Sequence, residues 1–215
     1  IKERANVDKI EAKKYFKYMI NNGNLDAIYA YGWYSLENID EALNYFKIAA
    51  DSGDSDSLYY YGLLLFDDLS DENKKRSMSY FEQAANKGNV QAMLKIASFY
   101  ENGQFVDKDI EKALHYYKMA ADLNNMDAVI KTADILMSQK TNLREASKYL
   151  KKAAEYGDNI SMSKYAHNLF YGIGVIKNLP EAANFYKMAA DHGNANAMNN
   201  YANMCLNGLG IPVNK

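Results

Sequence analysis

Three histidines, one cysteine and two Gly-x-Gly segments are the parts of this 215-residue chain that could supply chemistry. A zinc site needs imidazoles and thiolates at close, paired spacing such as His-Glu-x-x-His, and no such spacing occurs. His115, His167 and His192 are instead scattered. His192 falls in a turn, where an imidazole suits the negative end of a helix. A nucleophilic Cys205 would need a base or a cation to make the thiolate. It sits on an apolar helical stripe and reads as a packed thiol. Gly172-Ile173-Gly174 and Gly208-Leu209-Gly210 could cradle a phosphate, but a dinucleotide loop needs a preceding strand and a third glycine. A helical segment precedes both, so they read as turns. The carboxylates are spread over turns and helix starts, with no pair set apart in an apolar pocket to divide acid from base roles. The sequence thus offers no catalytic residue, no metal-ligand set and no cofactor loop, and the chain is expected not to be an enzyme. Asn159-Ile160-Ser161 matches the N-glycosylation acceptor pattern, which matters only in a secretory lumen.

The elements that carry these residues follow from composition and periodicity. Hydrophobic residues make up 48% and charged residues 24%, values at which a chain buries a core. At this length it is one domain or one elongated array. The formal net charge of -2 gives no electrostatic footprint for nucleic acid. A single cysteine cannot form an internal disulfide and fits a reducing compartment, so a cytoplasmic location is expected, with the endoplasmic reticulum lumen as the alternative if the full-length protein carries a signal peptide. No apolar run approaches the ~20 residues that span a bilayer, so direct membrane insertion is not expected. The chain begins with Ile1 rather than Met and is read as a piece of a longer protein. Only 2 prolines beside 12 glycines and 19 tyrosines point to many helices joined by short turns.

One short pattern recurs in phase. Ala49-Ala50-Asp51-Ser52-Gly53-Asp54 returns as Ala84–Asn89, Ala120–Asn125, Ala153–Asp158 and Ala189–Asn194, with a degenerate first copy at Met19–Asn24. The turn residue falls at 23, 53, 88, 124, 157 and 193, giving gaps of 30, 35, 36, 33 and 36. Repetition at such a period decides the fold. Each period holds two helical stretches, helix A after the turn and helix B before the next one. Helix B places Ala42, Phe46 and Ala49 on one stripe, repeated as Ala113, Tyr117, Ala120 and as Ala182, Tyr186, Ala189. Asp8/Glu11, Asn38/Glu41, Asn142/Glu145 and Asn178/Glu181 set a capping-box-like pair at its start, and Pro180 sits in a first turn. Gly53, Gly88, Gly157 and Gly193, with Asn124 substituting, are expected left-handed stops. Helix A aligns from Ala27, Ser57, Ala92, Ala128, Ser161 and Ala197. Its places two, five, six and nine form the buried stripe. Place six is always small, and Gly32 and Gly62 there imply close helix contact, because a mid-helix glycine costs ~1 kcal/mol against alanine.

Domain organisation follows. A single array fills 1–215, with an opening helix at 7–20, repeats near 24–53, 54–88, 89–124, 125–157 and 158–193, and a partial repeat at 194–215. The unit Ala-x-x-x-Tyr-Gly/Ala … Tyr-x-x-Gly-x-Gly-Val … Glu-Ala-x-x-Tyr-Tyr-Lys-x-Ala-Ala-Asp-x-Gly-Asn resembles the Sel1-like repeat, a relative of the tetratricopeptide repeat. Ser161–Asn194 and Ala92–Asn125 carry it best, and it covers essentially the whole chain. The copies from Ala27 and Ala128 depart from it, with short A–B loops that lack Gly-x-Gly, and Thr132 stands where Tyr or Ile stands elsewhere. The resemblance implies an all-α fold, an α/α solenoid of about five to six helix-turn-helix repeats whose A helices line a concave face. It also implies a scaffold or adaptor role.

In that architecture places three and seven of helix A face the groove. They are Tyr29/Trp33, Tyr59/Leu63, Leu94/Ser98, Ile130/Asp134, Ser163/His167 and Asn199/Asn203. The first copies are aromatic and aliphatic, types enriched at interface anchors, and the last are polar. A protein or peptide partner is therefore expected at Tyr29, Trp33, Tyr59, Leu63, Ser98, Asp134, His167, Asn199 and Asn203. The aromatics could equally pack on the neighbouring repeat. These places hold no Lys or Arg, so no nucleic-acid partner is expected, and end-to-end self-stacking of arrays is open. More specific roles rest on family analogy alone: an adaptor of an endoplasmic-reticulum ubiquitin ligase, or a repeat region attached to a signalling kinase. A hydrolase would need His167 and Asp134 in one pocket.

Overall fold

The repeated turn does two jobs in the structure, a computed structural model that describes residues 2–67 and 70–211. Its first residue turns the chain out of helix B in the left-handed region, as at Gly53 (φ 90°) and Asn124 (φ 62°). Its second residue starts helix A. The side chains of Asn24, Asp54, Asn89, Asn125, Asp158 and Asn194 each accept a hydrogen bond from the backbone N–H three residues on. Each satisfies a donor the helix start would leave orphaned. Only the first job is anticipated from the sequence pattern.

Twelve helices result among the described residues, with no strand: α1 (Lys2–Asn21), α2 (Leu25–Tyr34), α3 (Ile39–Asp51), α4 (Ser55–Asp67), α5 (Asp71–Asn86), α6 (Val90–Asn102), α7 (Ile110–Asp122), α8 (Met126–Gln139), α9 (Leu143–Glu155), α10 (Asn159–Tyr171), α11 (Leu179–Asp191) and α12 (Ala195–Leu206). Even-numbered helices are A helices and odd-numbered ones are B helices. This is an α/α solenoid, as the resemblance implies. None of the described helices is long and apolar enough to cross a membrane.

The B-helix caps are built at Asn38, Asn142 and Asn178, which accept from the N–H groups of Glu41, Glu145 and Glu181. Glu145 and Glu181 reach back to the capping amide of Asn142 and Asn178, at 2.8 Å each. The opening helix differs from expectation. α1 starts at Lys2 rather than near residue 7, so Asp8 lies within the helix and not at its start. Its side chain lies outside the described residues, as does the end of the loop expected at 208–215 beyond Ile211.

The chain divides into two compact units, Ile1–Lys108 and Asp109–Lys215. In unit 1 each helix from α1 to α6 packs on the next, and in unit 2 each from α7 to α12 does the same. In both, the buried stripe is the expected one. Place two (Ile28, Leu58, Met93, Val129, Met162) and place five (Tyr31, Tyr61, Ile96, Thr132, Tyr165) are buried. The Tyr31 hydroxyl donates to Glu41 Oε1 at 3.0 Å, and Lys13 donates to Glu41 Oε2 at 3.0 Å. Those two bonds, that of Lys13 first, hold the Glu41 carboxyl below its ordinary pKa against its partial burial. The glycines at place six accept an aromatic from the paired B helix. A Cβ at Gly32 would meet the Phe46 ring at 3.0 Å, and one at Gly62 would meet Phe81 at 2.9 Å.

Two places depart from the pattern. Thr132 is fully buried, and its hydroxyl has no hydrogen-bond partner. Thr132→Val removes that unsatisfied group at nearly constant volume and is expected to raise stability by about 1 kcal/mol. A lowered urea midpoint would mean the hydroxyl is bonded after all. In α12 the stripe is not covered: Met198, Ala202 and Cys205 are exposed. The packed thiol expected at Cys205 is thus corrected, because no described helix lies against that side of α12.

Candidate partner-binding faces

In unit 1 the expected anchors form a ladder of rings. Trp33 is 41% exposed, and its indole meets the Tyr60 ring edge-on at 4.4 Å and the Phe46 ring at 6.1 Å. Tyr29 contacts Phe46 and Tyr60, and Tyr59 contacts Tyr60 and Phe81. The aromatics therefore do both things the sequence left open. Tyr29 and Trp33 pack on the neighbouring repeat through Tyr60, and all three rings keep part of their surface free, Trp33 most. Burial raises the Tyr29 phenol pKa, partly offset by a hydrogen bond with Trp33. Tyr60, at place four, is the member the sequence reading missed; a tyrosine among three successive tyrosines carries no distinguishing signal. Leu63 is half-buried beside this ladder's helix, on α4. Ser98 sits on α6, where its hydroxyl and its carbonyl both accept from the Asn102 amide.

In unit 2 the polar places separate. Asp134 accepts from Lys164, one repeat on, as an ion pair across neighbouring A helices. His167 is exposed on α10, with its ring 4.6 Å from that of Tyr171. Asp134 does not line the cleft beside His167, so the pair a hydrolase would need is not brought together there. His167 instead opens onto a cleft of about 250 Å³ between α10, α11 and α12, lined also by Phe170, Tyr171, Tyr186, Asn200, Asn203, Met204, Asn207 and Leu209. Asn203 is in it, and Asn199 points elsewhere on the exposed side of α12. Burial pushes the Tyr186 phenol up to about 12, so it remains a neutral group at physiological pH. The Asn207 amide donates to the Asn203 carbonyl at 2.8 Å.

The cleft joins apolar ring surface with amide donors and acceptors and one imidazole. That mixture suits the alternating side chains and backbone of a peptide. Phe170, Tyr171 and Asn207 were within reach of the periodicity. They occupy places ten and eleven, which turn to the same face as place seven. Asn200 and Tyr186 were not, since one is at place four and the other on a B helix.

Comparison with known proteins follows the same lines. The sequence profile of the Sel1 repeat matches residues 90–125, 136–158, 160–194 and 195–215. A profile of plant tetratricopeptide repeats matches residues 4–101. No curated protein sequence matches the chain. Among solved structures, a Sel1 repeat protein from Oxalobacter formigenes is similar with a TM-score of 0.76 at 21% identity, over 94% of this chain and 61% of that one. A protective antigen present in uropathogenic Escherichia coli strains, displaying an SLR fold, is similar with a TM-score of 0.65 at 20% identity, over 95% of this chain and 46% of that one. The chain thus spans 46% to 61% of the length of these two relatives. At such identities the likeness shows the fold.

Proposed function

We infer that this chain, which belongs to the Sel1 repeat family, is a non-enzymatic protein-interaction scaffold that takes an extended peptide or protein segment on its A-helix faces. The α10–α12 cleft carries this reading. It offers three asparagine amides and one imidazole around a floor of Phe170, Tyr186 and Met204. Amides read a peptide backbone without regard to sequence, and the apolar floor selects a side chain. The partly exposed rings of Tyr29, Trp33 and Tyr59 support the same role on unit 1.

A peptide-display selection against the whole chain tests it. Selected peptides should lose about tenfold or more in affinity against Asn200→Ala/Asn203→Ala or against Trp33→Ala, the size expected of interface anchors. The Trp33 variant should stay folded, with a stability loss of about 1–2 kcal/mol, because its ring is only partly buried. Trp33 is the chain's single tryptophan, so its fluorescence reports occupancy of that face directly. Peptides that bind both variants as they bind the unaltered chain would refute the assignment. Cooperative loss of helicity in Trp33→Ala would make Trp33 a core residue instead.

A further inference from the structure

The other side of α10 holds a second and larger opening. A crevice of about 820 Å³ lies between the start of α9, the α10–α11 loop and the start of α11. Its floor is apolar, with the buried side chains of Tyr165 and Leu169 and the half-buried Val175. Its rim is cationic, with Arg144, Lys148 and Lys177 all exposed. Neither Arg144 nor Lys148 is held by a carboxylate within ion-pair distance among the described residues, and Lys177 only overlies the Phe170 ring at 5.8 Å. The carboxylates nearby are otherwise engaged. Glu181, in the rim, accepts from the Asn178 amide at 2.8 Å, and Glu145 pairs with Lys118 at 2.8 Å. The start of α11 adds the positive end of a 13-residue helix.

Two features set this crevice apart from its counterpart of about 470 Å³ at the start of α5, which Lys74 and Lys75 line with Phe66, Phe99 and Phe105. The places of Arg144 and Lys148 hold Asp40 and Asn44 in α3, Lys75 and Ser79 in α5, Glu111 and His115 in α7, and Pro180 and Asn184 in α11, so only α9 sets a cation at both. The loop is also fixed by a buried polar network that other repeats lack. Asn168, 1% exposed, donates to Ser147 Oγ at 2.8 Å, and that hydroxyl donates to the Ile173 carbonyl at 2.9 Å. The equivalent pairs elsewhere are apolar, such as Leu43 with Leu64 or Met78 with Phe99. Gly174 lets the loop lie directly on the Leu143 carbonyl, where any Cβ would overlap. A satisfied buried network specifies one conformation. Here it sets Lys177 opposite Arg144 and holds Ile176, 91% exposed, outward at the rim.

We propose that this crevice is a second docking surface, for an acidic peptide segment with interspersed aliphatic side chains. Three cations against one internally bonded carboxylate select a polyanion. An apolar floor and an exposed isoleucine favour one that alternates acidic and aliphatic groups over a bare chain of phosphates. It goes beyond the A-helix reading and does not depend on it, because Tyr165 and Leu169 turn away from His167 and Tyr171.

The test is fluorescence anisotropy on the whole chain with a short labelled peptide of alternating glutamate and leucine. Binding should be saturable and should weaken with salt. Arg144→Glu/Lys148→Glu should weaken it about tenfold or more, by charge reversal at two rim positions. Lys14→Glu/Lys187→Glu, an equal charge change at exposed sites elsewhere, should leave it intact, and so should Asn200→Ala/Asn203→Ala. Ile176→Asp should weaken it without altering the circular dichroism spectrum. The proposal is overturned if no saturable binding occurs, if the Lys14/Lys187 pair matters equally, or if oligothymidine binds as tightly as the peptide, which would make this an unselective polyanion patch.

Discussion

Phe81→Ala should lower the stability of unit 1 by about 3–5 kcal/mol, the cost of emptying a fully enclosed aromatic site. Phe81 is 0% exposed. Its ring lies against the bare backbone of Gly62 and makes ring contacts with Tyr59, Phe66 and Phe99. A glycine offers no side chain that could swing into the void, so the cavity stays open. The urea midpoint reads the loss. A coupled variant sharpens the expectation. Gly62→Ala crowds the ring in the unaltered chain but partly refills the space in Phe81→Ala, so the two changes should be far from additive. Additive effects would show that the ring and the glycine do not share the contact.

Gly174→Ala should cost about 2–4 kcal/mol, from two sources that act together. Gly174 has φ 67°, a region where an L side chain costs about 1–2 kcal/mol. Its Cβ would also fall on the Leu143 carbonyl and the Arg144 N–H, backbone atoms that cannot move aside singly. Gly157→Ala separates the two contributions. Its φ is 102°, yet a Cβ there meets nothing within 4 Å. The Gly157 variant should therefore lose only the conformational part. Equal losses in thermal or urea unfolding would mean that the loop lifts off α9 without cost.

The periodic spacing of Ala-Ala and the turn residue was enough to place nearly every helix, because each repeat states its own stop signal and its own small-residue contact. What the spacing could not state is what lies against a surface. Place six reads as a close approach whether it holds Gly62 against a ring or Ala202 against solvent, and Cys205 reads as core for the same reason. Likewise Asp134 and His167 look like partners on one face, until Lys164 is seen to take the carboxylate. The residues of the candidate faces were legible where a single helix face decides them, as for Trp33, His167 and Asn203. They were not where two helices cooperate, as Tyr186 does with Asn200. Phe105 is a special case. It stands at the second glycine place of its loop and keeps the left-handed backbone, with φ 64°, which a large residue rarely adopts. The chain path is kept without the glycine.

The aspartate or asparagine that follows each left-handed turn closes its own helix start with a bond only three residues long. Each junction therefore satisfies that backbone N–H from within, while the side-chain amides of Asn89 and Asn194 add bonds to Asp56 and to the Asn159 carbonyl one repeat back. A stretch of about three dozen residues could be copied or excised in the gene without exposing an unmatched backbone amide at the seam. Lineages carrying such chains are free to lengthen or shorten them in whole steps, and partner range can then change by adding or dropping entire faces rather than by rebuilding one.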